Sequence, residues 1–245
     1  MIINDETLKS LGINPSLFGP EQKDKIAEYY NAISNGIKSE SLYPSPSKFD
    51  SESERIRQRC DKASIIIKKL IEDAKKDVNI IISTCQKNCN MFGVVASAAA
   101  LDDILLTASF AIQRINETIS NALDNVVTLH SSFVALSEIR NDYRLMTLES
   151  SLIFYAERLH GISDERYRTA LSSFGQSENR LIELADRLYK SASSYEAVLE
   201  RSFLTSMDRL SIALDFDNDG KQIDVKKVLN QLNIAINILT DAEKI

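Results

Sequence analysis

The sequence predicts an all-α protein, an elongated antiparallel bundle of three long coiled-coil-like helices with short helices at its N- and C-terminal ends. Three observations carry this reading. The 245 residues include only seven glycines and four prolines, whereas hairpin turns and parallel-sheet loops use both types repeatedly. All four prolines (Pro15, Pro20, Pro44, Pro46) precede residue 47, so no later proline stops a helix. Beyond them, apolar residues recur in steps of three and four over stretches far longer than an ordinary helix. With 44% hydrophobic and 26% charged residues, the chain has a globular composition, which excludes wholesale disorder.

Asn14-Pro15 and Gly19-Pro20 mark turns, and Glu21 to about Gly36 reads as a short helix with Ile26, Tyr29, Tyr30 and Ile33 on its apolar side. Ser39 to Ser47, interrupted by Pro44 and Pro46, reads as a linker. Asp50 or Ser51 followed by Glu52 and Glu54 is a start signal that puts acids near the positive end of a helix dipole. A long helix is expected from there, with the seam Ile56, Cys60, Ala63, Ile67, Leu70, Ala74, Val78, Ile81, Cys85, Cys89, Phe92. Asn88, Asn90 and Gly93 mark its end. A second seam runs Leu101, Leu105, Ala108, Ile112, Ile115, Ile119, Ala122, Val126, Leu129, Phe133, Leu136, slips near Arg140, and resumes as Leu148, Leu152, Tyr155, Leu159 before Gly161. Such a helix, or two nearly collinear ones, would span roughly 100 Å. Ser163-Asp164-Glu165 caps a third, with the seam Tyr167, Leu171, Phe174, Leu181, Ala185, Leu188, Ala192, Tyr195, Leu199, then Phe203, Met207, Leu210, Leu214. After Asp215 to Gly220, Ile223 to Leu239 define a last helix ending near Ala242. Short turns between long helices make neighbours antiparallel. The expected division is an N-terminal segment 1–49, a long-helix rod 50–214, and an acidic turn with a C-terminal helix over 215–245.

Net charge is −6 and the sequence pI about 5.1, a balance that repels phosphate backbones and argues against nucleic acid as a partner. Three cysteines, Cys60, Cys85 and Cys89, lack the density of a disulfide scaffold and sit at seam positions, where cysteine acts as a small hydrophobe. No basic, apolar leader opens the chain. The expected location is therefore cytoplasmic, or exported without a conventional signal. The longest uncharged stretch, Asn88 to Leu101, has 14 residues, too few to span a bilayer.

Four clusters carry chemistry. Asp215, Asp217, Asp219 and Gly220 reproduce the first half of a calcium loop, but its twelfth position is Lys226 instead of a bidentate glutamate. An acidic interhelical turn accounts for the same residues, leaving calcium as the weak cofactor candidate. Glu157 and His160 form one E-x-x-H pair, whereas a di-iron bundle needs two. Between Arg55 and Lys76 eight basic residues face three acids, and Arg55, Arg59, Lys62, Lys69 and Lys76 make up a candidate basic face. Met91, Phe92, Val94, Val95, Leu101, Ile104 and Leu105 form an apolar tip at the turn between the first two long helices, where a rod is ordinarily most solvated. Burial against the bundle, self-association or a membrane would each cover it. No nucleophile–base motif and no glycine-rich phosphate loop is present.

These features lead to a non-enzymatic assembly or interaction protein working through long helical surfaces, by self-association or with a protein partner. The alternative is a soluble helical protein that inserts its apolar tip, about residues 91–112, into membranes. In architecture alone this alternative resembles the ClyA-type α-pore-forming toxins and secretion-system translocators, which carry a hydrophobic element at one end of long helices. No residue-level motif joins the chain to either group. A curved BAR-like dimer matches the number and length of the helices, but the acidic balance disfavours its membrane-binding face.

Overall fold

The computed structural model describes residues 2–89, 97–162, 165–215 and 223–245. Among the described residues the fold is all-α, with no strand. Helix α1 (Asp5–Ser10) is opened by Asn4, whose side chain accepts the Thr7 N–H at 2.8 Å, satisfying a donor the helix itself cannot. Helix α2 (Pro20–Ser34) begins on a proline, whose missing N–H is harmless in a first turn. The long helices are α3 (Ser47–Asn88) and α4 (Ala98–Leu159). Helix α5 (Glu165–Glu196) passes through a π-helical segment, Ala197–Leu204, into α6 (Thr205–Leu214), and α7 (Val225–Ala242) follows. Gly161 ends α4 at φ +73°, the left-handed conformation that glycine adopts without strain.

The chain forms two compact units, Met1–Ile56 with Val134–Ala185, and Arg57–Phe133 with Asp186–Ile245. Each unit takes a part of α3, α4 and α5. In the second unit α3 and α4 are antiparallel, as their cross-links show: Arg114 bonds Asp77 at 2.8 Å, and Asn88 donates to Asp103 at 2.7 Å. The α3 seam is buried at Ile56, Cys60, Ala63, Ile67, Ala74, Val78, Ile81 and Cys85, as expected from the sequence. At the next turn Ile71 is buried and Leu70 only half-buried.

The α4 seam differs at its start. Ile104, Ala108, Ala111 and Ile115 are buried, whereas Leu105 and Ile112 are half-buried. Adjacent apolar pairs at 104/105 and 111/112 offer two seams one residue apart, both in steps of three and four. Packing selects the one turned toward the core. The slip expected near Arg140 is also absent. Burial continues without a break through Leu136, Ile139, Tyr143, Met146, Ser150, Ile153 and Glu157, and Leu148, 39% exposed, lies off this line. Two of its members, Ser150 and Glu157, are polar, which concealed it from a search for apolar periodicity.

From Tyr195 the inward positions advance by four three times, to Leu199, Phe203 and Met207, all buried. An α-helix of 3.6 residues per turn drifts off such a row, and the wider π turn at Ala197–Leu204 takes up the drift. Leu171, expected on the α5 seam, is 39% exposed.

In the first unit the N-terminal segment packs on the last turns of α4. Ile3, Leu8, Ile13, Phe18 and Ile26 bury themselves with Leu152 and Ala156. Polar anchors fix the same segment. Tyr29 donates to Glu149 at 2.6 Å and Tyr43 to Glu157 at 2.7 Å, while Arg158 donates to the Leu11 carbonyl at 3.2 Å.

Candidate interaction surface

The second unit presents two faces of opposite character. On α3, steps of three and four outside the buried seam place Arg59, Lys62, Lys69, Lys76 and Lys87 in solvent, with Ile66 and Ile80 exposed among them. Lys76 Nζ bonds Asp73 at 2.8 Å. That hydrogen bond holds the Asp73 carboxyl below, and the Lys76 ammonium above, their ordinary ranges. Arg59 and Lys62 are in no ion pair among the described residues, and Lys69 acts on Asp73 only through its charge. In the first unit, Arg55 on the same helix faces solvent with Glu52 3.6 Å away.

On α4 the face opposite the buried seam is acidic and apolar. Asp103, Glu117 and Asp124 are exposed along one row in steps of three and four, and the row from Asp103 to Ser131 contains no lysine or arginine. Leu106, Phe110 and Val127 lie on the same row at 60%, 59% and 63% exposure. Aliphatic and aromatic side chains aligned in solvent lose the hydrophobic stabilisation that burial would provide, about 1.5–3 kcal/mol for each when fully covered. The sequence reading did not isolate this row, because polar Gln113, Glu117, Ser120 and Asp124 separate Phe110 from Val127 along it.

Of the tip residues, Ile104 faces inward with 1% exposure, and Leu101 and Leu105 are half-buried. Met91, Phe92, Val94 and Val95 lie outside the described residues. Asp215 is exposed at the C-terminus of α6, and Asp217, Asp219 and Gly220 also lie outside the described residues. Among the described residues no group of three or more His, Cys, Asp or Glu side chains is arranged to hold a metal ion.

Glu157 and His160 have packing partners instead. Glu157 is buried, with one carboxylate oxygen taking the Tyr43 hydroxyl and the other without a partner among the described residues. His160 stacks on the Tyr30 ring at 4.1 Å, its Nε2 lying 2.9 Å from the Tyr30 carbonyl oxygen and 3.1 Å from Ser34 Oγ. Burial, then the bond to Glu157, pushes the Tyr43 phenol well above its ordinary range. Cys60 and Cys85 are buried and Cys89 is half-buried. Burial pushes the Cys85 thiol up to about 11.

Comparison with protein-family models, with curated proteins and with solved structures finds no match.

Proposed function

We propose that this chain is a non-enzymatic helical assembly or interaction protein that works through the exposed seams of its long helices. The observation that carries the reading is the outer row of α4, where Leu106, Phe110 and Val127 stand in solvent at 60%, 59% and 63% exposure. Large apolar side chains left in solvent on one helix face are what a partner covers. The experiment is sedimentation of the intact protein beside the Leu106→Ser/Phe110→Ser variant. The parent should associate with rising concentration, and the variant should lose association at an unchanged helical circular dichroism spectrum.

A second reading has one observation in its favour. The uncharged stretch from Asn88 to Leu101 is followed, after Asp102 and Asp103, by exposed Leu106 and Phe110, which would suit insertion of these residues into a membrane. Among the described residues no helix is long and apolar enough to cross a membrane. Leakage of vesicles by the parent, abolished in Ala99→Asp at unchanged melting temperature, would replace the assembly reading with this one. A central charge costs about 2.5–3.5 kcal/mol on insertion scales.

A further inference from the structure

Resting on the assembly reading, we infer that the partner of these seams is a second copy of this chain, with the basic face of α3 in one copy lying along the acidic face of α4 in the other. Lys62, Lys69 and Lys76 follow one another at seven-residue intervals on α3, with Asp73, bonded to Lys76, as the acid between them, and Glu117 and Asp124 do so on α4. Seven residues of helix rise about 10.5 Å, so the two rows carry opposite charges at matching spacing. Each row also brings exposed apolar side chains to the same face: Ile66 and Ile80 on α3, Leu106, Phe110 and Val127 on α4. Charged and apolar side chains thus share each row, and charge pairs between helices help to set partner and orientation.

The signs select the pairing. Two α4 faces brought together would set carboxylates against carboxylates, and two α3 faces would set ammonium groups against one another, an arrangement that disfavours both like pairings. Only α3 against α4 joins opposite charges, and one chain supplies both faces. A foreign acidic partner on α3 would leave the apolar row of α4 uncovered, whereas a second copy engages both. Two copies that exchange α3 for α4 reciprocally close into a dimer; a contact that does not close continues as a ring or filament.

Sedimentation of the full chain at low and high salt, with two charge-reversed variants, tests this. Lys62→Glu/Lys69→Glu has two acidic faces and Glu117→Lys/Asp124→Lys has two basic ones. Each variant alone should associate at least about tenfold more weakly than the parent, and an equimolar mixture should recover association, because each supplies the sign the other lacks. Parental association should weaken with salt, since exposed charges are screened over about 10 Å at 0.1 M. All four positions are in solvent, so the helical spectrum should not change; if a double variant fails to fold, Lys69→Glu and Glu117→Lys make the same comparison. A parent that stays monomeric at low salt, association unmoved by charge reversal, or a mixture that does not recover would each overturn the inference. Vesicle leakage that survives in both charge variants is the separate result that would overturn the assembly reading itself.

Discussion

Each unit buries a stretch of α4, and the two stretches differ in chemistry. In the second unit the line runs through Ile115, Ile119, Ala122, Val126 and Leu129, side chains that any apolar neighbour satisfies, and its polar member Ser132 donates to the Thr128 carbonyl of its own helix at 2.7 Å. In the first it includes Tyr143 and Glu157, whose hydroxyl and carboxylate need partners from outside their own helix once buried. Tyr143 donates to Asp50 at 2.8 Å, and Glu157 accepts from Tyr43 at 2.7 Å. An apolar seam stabilises through area and tolerates a shift of its partner. A polar seam accepts only the neighbour that brings the matching group, because a buried polar atom without one costs about 1–3 kcal/mol. The first unit thus fixes which segment docks on α4, while the second supplies packing.

The contrast breaks first in the cores. Leu129→Ala in the second unit should cost about 2–5 kcal/mol in urea unfolding, through lost burial and the cavity left behind. Ser150→Ala in the first unit removes only a hydroxyl bonded to its own helix at Met146, 2.9 Å away, and should change stability by about 1 kcal/mol or less. Similar losses in both would show that the two stretches do not differ as described.

Tyr43→Phe should be the next largest change, destabilising by about 1–3 kcal/mol because both Glu157 oxygens are then buried without a donor. Adding Glu157→Leu should recover much of that loss, since replacing both partners by apolar groups is nearly neutral. A double variant as unstable as the sum of its single changes would deny that the pair specifies docking instead of supplying net stability.

Alkaline pH separates the units by chemistry. Burial and the bond to Asp50 push the Tyr143 phenol from 10.0 up to about 12, so the folded state retains a proton that the unfolded chain releases. The sign follows: this contribution is complete below pH 10 and is lost as pH rises toward about 12. Cys85, raised from 9.0 to about 11, acts with the same sign in the second unit but from nearer pH 9. Unfolding measured from pH 8 to 12 should therefore show stability falling in that range, with Tyr143→Phe flattening the upper part of the slope. An unchanged slope in that variant would remove Tyr143 as a contributor.

The smallest effect should come from Lys75→Ala, which frees the end of α7 by removing the 2.8 Å pair with Glu243. A loss of about 1 kcal/mol or less is expected, seen as faster amide exchange in the last turn of α7 with the core unaffected. Exchange rising throughout the second unit would mean that this pair holds more than a helix end.

Much of the fold was legible because its signal is repetition. Eight of the α3 positions from Ile56 to Cys85 that share one spacing are buried together, and the three successive steps of four after Tyr195 coincide with the π-helical segment. What escaped was position without apolarity. Ser150 and Glu157 occupy seam positions but read as polar, so the line seemed to slip at Arg140 while Leu148, apolar and in solvent, offered a false continuation. The candidate surface escaped in the reverse way. Arg59, Lys62 and Lys69 were visible as a charge cluster, but Leu106 and Phe110 were absorbed into an apolar tip, and only their exposure separates them from inward Ile104. Periodicity reports that a face exists; which of two adjacent faces is covered depends on neighbours far away in the chain.

The π-helical segment has a consequence for how sequence change can spread. In an uninterrupted α-helix the inward directions of Leu188, Ala192 and Tyr195 would differ from those of Met207, Leu210 and Leu214 by roughly 70° at 100° per residue. Ala197–Leu204 absorbs that difference, so the helix carries two angular phases joined at one place. Loss of one residue there would let the segment revert to an α-helix with Met207, Leu210 and Leu214 still facing inward, whereas gain of one would turn every later side chain by about a further 100°, withdrawing those three from the core and removing the surface against which α7 rests. The joint therefore tolerates the loss of a residue far better than the gain of one, and a change of residue type there is only a local matter.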